Sequence, residues 1–377
     1  MARNPQLDDR LGDYTADARL ITLSVMAALV GVISAFVALA LVRLIGLFTN
    51  LAYFHRFATS LVSPAASGPG LWSLPIPVVG GLIVGLLARY GSEKIRGHGI
   101  PEAMEAILIG RSKPLSSAIA IGTGGPFGAE GPIIATGGAF GSVFAQAFHL
   151  SPVERKTLLV AGAAAGMAAI FAAPVAAVLL AVELLLFEWK PRSFIPVACA
   201  AAVAAALRVP LLGAGPDFAI PPHHLLAATT LAECLGVGLV AGIAATLITN
   251  LLYAVEDGFA RLPIHWMWWP AIAGVVVGLG GLIAPRALGV GYDVIHDLVA
   301  GRLVGIFLLV LLVVKALIWA IGLGSGTSGG VLAPLLVMGG TMGALGASAL
   351  HRPDPGLWAM VGMAAPWAAR CRCPSQR

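Results

Sequence analysis

Charge is what this 377-residue chain has least of: 11% of its residues are Asp, Glu, Lys or Arg, against 58% hydrophobic. Its mean hydropathy is +0.91. Soluble domains carry roughly a quarter charged residues, so a water-soluble globular fold is excluded and an integral membrane protein is expected. Cysteine is scarce as well. Cys199, Cys234, Cys371 and Cys373 have the spacing of neither a zinc site nor a disulfide framework. No metal and no cofactor are expected. A long basic run with interleaved aromatics is also missing, so nucleic acid is not an expected partner. The net charge of +5 lies mostly in loops at 89–96, 111–113, 155–156 and 190–192, as interfacial anchoring and positive-inside bias require. A cleavable signal pattern is lacking: Asp8, Asp9, Arg10, Asp13 and Asp17 precede an apolar run too long for a signal core. Residues 1–18 are therefore expected to form a cytoplasmic segment.

Long uncharged runs are plentiful. Thr157 to Val182, Cys234 to Val255 and Ala316 to Leu350 each reach the ~20 residues that cross a bilayer as helix. The pattern predicts membrane segments near 19–50, 72–91, 115–123, 131–149, 153–173, 174–189, 193–207, 224–257, 264–284, 302–322, 331–350 and 355–368. Several are too short to span, and Pro101, Pro126, Pro132, Pro174 and Pro334 cut the apolar blocks. Broken helices at membrane depth are tolerated only where their backbone lines a protein cavity. An all-α bundle of tilted and discontinuous helices follows.

The chain also echoes itself. A shift of 202 residues aligns Gly122–Gly141 with Gly324–Gly343, and seven of the twenty positions are identical. A weaker echo pairs Gly97-His-Gly-Ile-Pro101 with Gly289-Val-Gly-Tyr-Asp293. Paired Gly/Pro-interrupted segments in two halves point to a transporter site. The expected organisation is a first membrane repeat over 19–210, an incomplete second repeat over 211–365 and an atypical tail over 366–377.

One acid stands out. Glu130 is the sole Asp, Glu, Lys or Arg between Leu115 and Ser151, within Gly128-Ala-Glu-Gly-Pro132. An ionisable group at membrane depth is a functional-site candidate by default. Gly128–Pro132, Gly97–Pro101 and Gly330-Val-Leu-Ala-Pro334 all place proline where a helix would begin, a position that tolerates its missing N–H. The remaining first-turn N–H groups and the helix dipole favour negative charge. Three such termini together would bind an anion without a full counter-charge, which leaves it free to move on.

These motifs resemble those of the chloride channel (CLC) family of anion channels and proton-coupled anion exchangers. GHGIP at 97–101 is similar to the family's GSGIP, GAEGP at 128–132 to GREGP, and GVLAP at 330–334 to GxFxP. The Ala161–Pro174 run is also family-like, and the resemblance extends from the Leu20 helix to about Gly362. It implies a homodimer with one pore per subunit, two inverted repeats in each, and chloride or a similar anion as the transported ligand. Glu130 takes the place of the gating glutamate, whose carboxylate competes with the anion until it is protonated. His98, Gly99, Ile100, Gly131, Val331 and Leu332 match the anion-binding positions.

The departures leave alternatives open. His98 replaces the usual serine and either contacts the anion or turns away. Ala129 stands where arginine is common, and Leu332 where phenylalanine is. The exchangers' internal proton glutamate aligns with Leu184, and the adjacent Glu183 either serves protons or is structural. Channel-like flow is therefore favoured, with H+/Cl− exchange as the alternative. Lys315, alone in Leu303–Leu350, is expected to pair structurally. From Pro366 onward the sequence leaves the family pattern, so an inactive truncated fragment is a further reading. A rival from another class is an intramembrane serine protease using Ser328 of Gly326-Thr-Ser-Gly329. A multi-pass protein without cytoplasmic regulatory domains suits a bacterial inner membrane.

Overall fold

A computed structural model describes residues 18–91, 113–213, 218 and 228–371. Thirteen α-helices and no strands occur among the described residues. They are α1 (Ala18–Phe54), α2 (Pro75–Tyr90), α3 (Lys113–Gly122), α4 (Glu130–Gln146), α5 (Pro152–Phe171), α6 (Pro174–Ala181) and α7 (Pro191–Leu212). Then follow α8 (Ala228–Ala260), α9 (Trp269–Ile283), α10 (Tyr292–Val299), α11 (Ile306–Gly324), α12 (Leu332–Ala349) and α13 (Pro355–Cys371). Seven helical stretches among the described residues are long and apolar enough to cross a bilayer. The chain is an all-α, multi-pass membrane protein.

Proline sets many of these boundaries. It occupies the first or second position of α2, α5, α6, α7 and α9, where its missing N–H costs nothing. Ser151 adds a capping box to α5, accepting from the Glu154 amide while the Glu154 carboxylate accepts from the Ser151 amide. Two features depart from the sequence pattern. Residues 174–189 are not one helix: α6 ends at Ala181, a π-helical turn covers Val182–Leu186, and Phe187 closes it at φ +57°. Between 285 and 301 the pattern predicts no helix, yet α10 forms there and buries Val294, Ile295, Leu298 and Val299.

The contacts divide the described chain into two compact units, 18–41 with 113–114 and 130–213, and 42–91 with 115–129, 218 and 228–371. In the first unit α4 crosses α5 at two facing glycines. A Cβ on Gly137 would lie 2.4 Å from the Gly162 carbonyl oxygen, and one on Gly162 2.2 Å from that of Gly137. Only hydrogen fits there, so the backbones touch, as small residues allow in membrane bundles. In the second unit α12 crosses α13 in the same way: a Cβ on Gly362 would meet the Gly339 oxygen at 2.2 Å. Gly339 is the 202-shift counterpart of Gly137.

An ion pair also recurs. In the first unit Arg19 at the start of α1 holds Glu154 at the start of α5, with Nη2 2.9 Å from Oε2. In the second, Glu233 near the start of α8 holds Arg352, just before α13, with the charges exchanged. The second unit contains a reciprocal contact as well. On α2 and α9, Pro77-x3-Gly81 faces Pro270-x3-Gly274: a Cβ on Gly81 would lie 2.3 Å from the Pro270 oxygen, and one on Gly274 2.5 Å from that of Pro77.

Candidate functional site

The loop before α4 is held by a pairing between repeat counterparts. Gly128 and Gly330 form an antiparallel bridge, each N–H donating to the other's carbonyl at 2.9 Å. Two residues beyond each glycine a helix begins, α4 at Glu130 and α12 at Leu332. The loops reach this pairing through turns of one kind, since Gly124 (φ +99°) and Gly326 (φ +82°) both adopt the left-handed region. Phe127 fills the space beneath, its ring against Gly322 and Gly329, where a Cβ would fall within 2.7 and 2.4 Å. Those two glycines make room for the ring.

Glu130 is the first residue of α4 and is 3% exposed. Gly131, Val331 and Leu332 are half-buried beside fully buried Gly128, Ala129 and Gly330. Val331 is the residue before α12 and Gly131 the second of α4. The first amides of a helix have no intrahelical acceptor, and each of these termini therefore offers donors to a negative group. Two of the three predicted helix starts are thus helix starts in the structure. The third, with His98, Gly99 and Ile100, lies outside the described residues.

Glu183 sits in the π-helical turn and is exposed, while Leu184 is half-buried. Lys156 donates from Nζ to the Leu186 carbonyl at 2.9 Å and so caps that turn. Ser328 is 8% exposed, and its hydroxyl lies 3.5 Å from that of Ser117. Among the described residues a serine, not a histidine, is the hydrogen-bonding neighbour there, so none of them supplies the base a serine nucleophile needs.

Sequence reasoning missed the residues that brace the site. The Tyr53 hydroxyl donates to the Thr123 carbonyl at 3.1 Å, and the Gly289 amide donates to the Gly124 carbonyl at 3.0 Å. A usable signal existed: Thr49-Asn-Leu-Ala-Tyr53 recurs as Thr249-Asn-Leu-Leu-Tyr253. That echo marks α1 and α8 as counterparts.

Residues 80–374 match the family model of the voltage gated chloride channel. A protein of Ralstonia nicotianae described as ClcB-like is 30% identical over 369 residues, covering 93% of this chain and 86% of its own. The voltage-gated ClC-type chloride channel ClcB of Citrobacter koseri is 33% identical over 339 residues, covering 85% and 79%. The chain belongs to the voltage-gated chloride channel (CLC) family. Its fold agrees. A slow cyanobacterial Cl−/H+ antiporter superposes with a TM-score of 0.78 at 22% identity, over 94% of this chain and 86% of that one. A CLC-type fluoride/proton antiporter gives 0.75 at 20% identity, over 95% and 88%. This CLC protein is accordingly a membrane transport protein for anions, not an enzyme.

Proposed function

We propose that the protein carries chloride or a similar small anion across the bilayer along a path lined by helix N-termini and gated by Glu130. One observation carries this reading: a buried carboxylate opens a glycine-led helix whose loop pairs, through Gly128, with Gly330 in the loop of its repeat counterpart. A carboxylate at such a terminus occupies the place an anion would take. Protonation removes its charge and vacates that place. Gly131, Val331 and Leu332 supply backbone donors, joined by His98, Gly99 and Ile100 by motif match. The reciprocal Gly128–Gly330 and α2–α9 contacts support an inverted repeat, because contacts that repeat with their two sides exchanged are those a local two-fold axis produces. The functional form is a homodimer in a bacterial inner membrane.

Anion flow is channel-like, since Leu184 stands where the exchangers' internal glutamate aligns. Proton-coupled exchange is the second reading. The exposed Glu183 in a π-helical turn favours it, because such turns recur at functional sites. Reconstitution into liposomes with chloride efflux and internal pH recorded together separates the two. Efflux without matched proton movement is the expected outcome. Stoichiometric proton uptake would establish exchange, and loss of that uptake in Glu183→Gln would assign it to Glu183.

A further inference from the structure

Lys315 lies in the middle of α11, a helix apolar enough to span the bilayer, and is 0% exposed. Burying an ammonium is costly unless its donors are satisfied. A leucine at this position would avoid that cost, so what the ammonium holds matters. Its Nζ donates to the carbonyls of Ala287 and Gly289, both at 2.9 Å. Those carbonyls belong to a tight turn that requires positive φ at Gly289 (+67°) and Gly291 (+86°). The same Gly289 donates its N–H to the carbonyl of Gly124 at 3.0 Å. Gly124 opens the loop that runs through Phe127 and Gly128 to Glu130. Lys315 therefore reaches that loop through a single intervening residue. The helix that carries Lys315 runs at its other end into the Gly326–Gly330 loop, Gly128's partner. Residues 288–293 of the braced turn also wall a cavity of about 160 Å³, together with Thr49, Ser63 and Pro64.

We propose that Lys315 is a positioning residue for anion transport, tethering the Gly124–Ala129 loop through Gly289 so that the helix starts beyond it keep their register. This rests on the anion-transport reading above. A hydrogen bond to a charged group is worth more than a neutral one, and here it acts on backbone rather than on a replaceable side chain. Without the ammonium the Ala287 and Gly289 carbonyls lose their shared donor and the turn loosens. The loop at Gly124 then loses its anchor. Anion affinity falls while the helices still fold.

The test compares Lys315→Met, Lys315→Arg and Gly289→Ala in liposomes, reading the chloride concentration for half-maximal flux beside thermal melting in detergent. Lys315→Met should raise the half-saturating chloride roughly tenfold, about the loss of one charge-assisted hydrogen bond, with Lys315→Arg restoring it to within ~threefold. Gly289→Ala keeps the ammonium but strains the turn, since its Cβ would meet the Pro64 ring at 3.2 Å. It should move the half-saturation in the same direction. A folded Lys315→Met with wild-type half-saturation overturns the proposal. If that variant does not fold, an unmoved half-saturation in Gly289→Ala overturns it instead. Wild-type protein that carries no chloride would remove the transport reading itself, whereas wild-type flux with unmoved variants removes only the role of Lys315.

Discussion

The starts of α4 and α12 are built alike but furnished differently. Both follow a left-handed glycine and a glycine of the Gly128–Gly330 bridge, and both carry proline in the first turn. One opens on Glu130 and the other on Leu332. The duplicated part is the backbone cradle, and the part that is not duplicated is the charge. A cradle alone attracts anions. On the proposed reading, a cradle with its own acid also has a way to refuse them.

The shared scaffold can be broken first. Gly137→Leu would drive a side chain into the Gly162 carbonyl, and Gly362→Leu into the Gly339 carbonyl at the corresponding crossing in the second unit. Each should abolish monodisperse protein in detergent, read by size exclusion, because backbone cannot yield as a rotamer can. A fold that survives in one unit but not the other would show that the two crossings are not equivalent. Phe127→Ala comes next. Emptying the space between Gly322 and Gly329 should cost ~3 kcal/mol or more, and thermal melting would report it.

The difference between the two helix starts can then be sharpened. Glu130→Gln should raise chloride flux at neutral pH about tenfold, equivalent to ~1.4 kcal/mol, whereas Leu332→Gln should leave the pH dependence of flux alone. The smallest effect lies at a polar cluster beside α10. Burial pushes the Asp297 carboxyl up, but Arg286 and Arg302 outweigh it and hold the group below its usual range. A depressed carboxyl stabilises the fold above its unfolded pKa and loses that contribution as pH falls through the folded one. Asp297→Asn should therefore cost ~0.5–1 kcal/mol at neutral pH. The gap from wild type should close as the pH drops below the ordinary aspartate range, about 4.

Much of this architecture was legible in the sequence because proline and glycine punctuate it. Each of the twelve predicted segments contains a helix, and Glu130, Val331 and Leu332 fall at helix starts as the Gly-x-x-x-Pro spacing requires. The α10 helix escaped because eight residues of mixed polarity, Tyr292–Val299, give too short a pattern to distinguish from a loop. The π-helical turn escaped because nothing in Val182–Leu186 departs from a helical composition. Lys315 was readable as a structural charge, but its acceptors are backbone carbonyls more than twenty residues away. Composition carries no record of such partners. The pairing of Gly128 with Gly330 was hidden for the same reason, although the repeat had already made them counterparts.

The most direct measurement is the pH dependence of chloride flux in liposomes holding wild-type protein or Glu130→Gln. Wild-type flux should rise on acidification, and the variant should start high and stay flat. A variant that keeps the wild-type acid activation would contradict the account, because the gate would then be some other group.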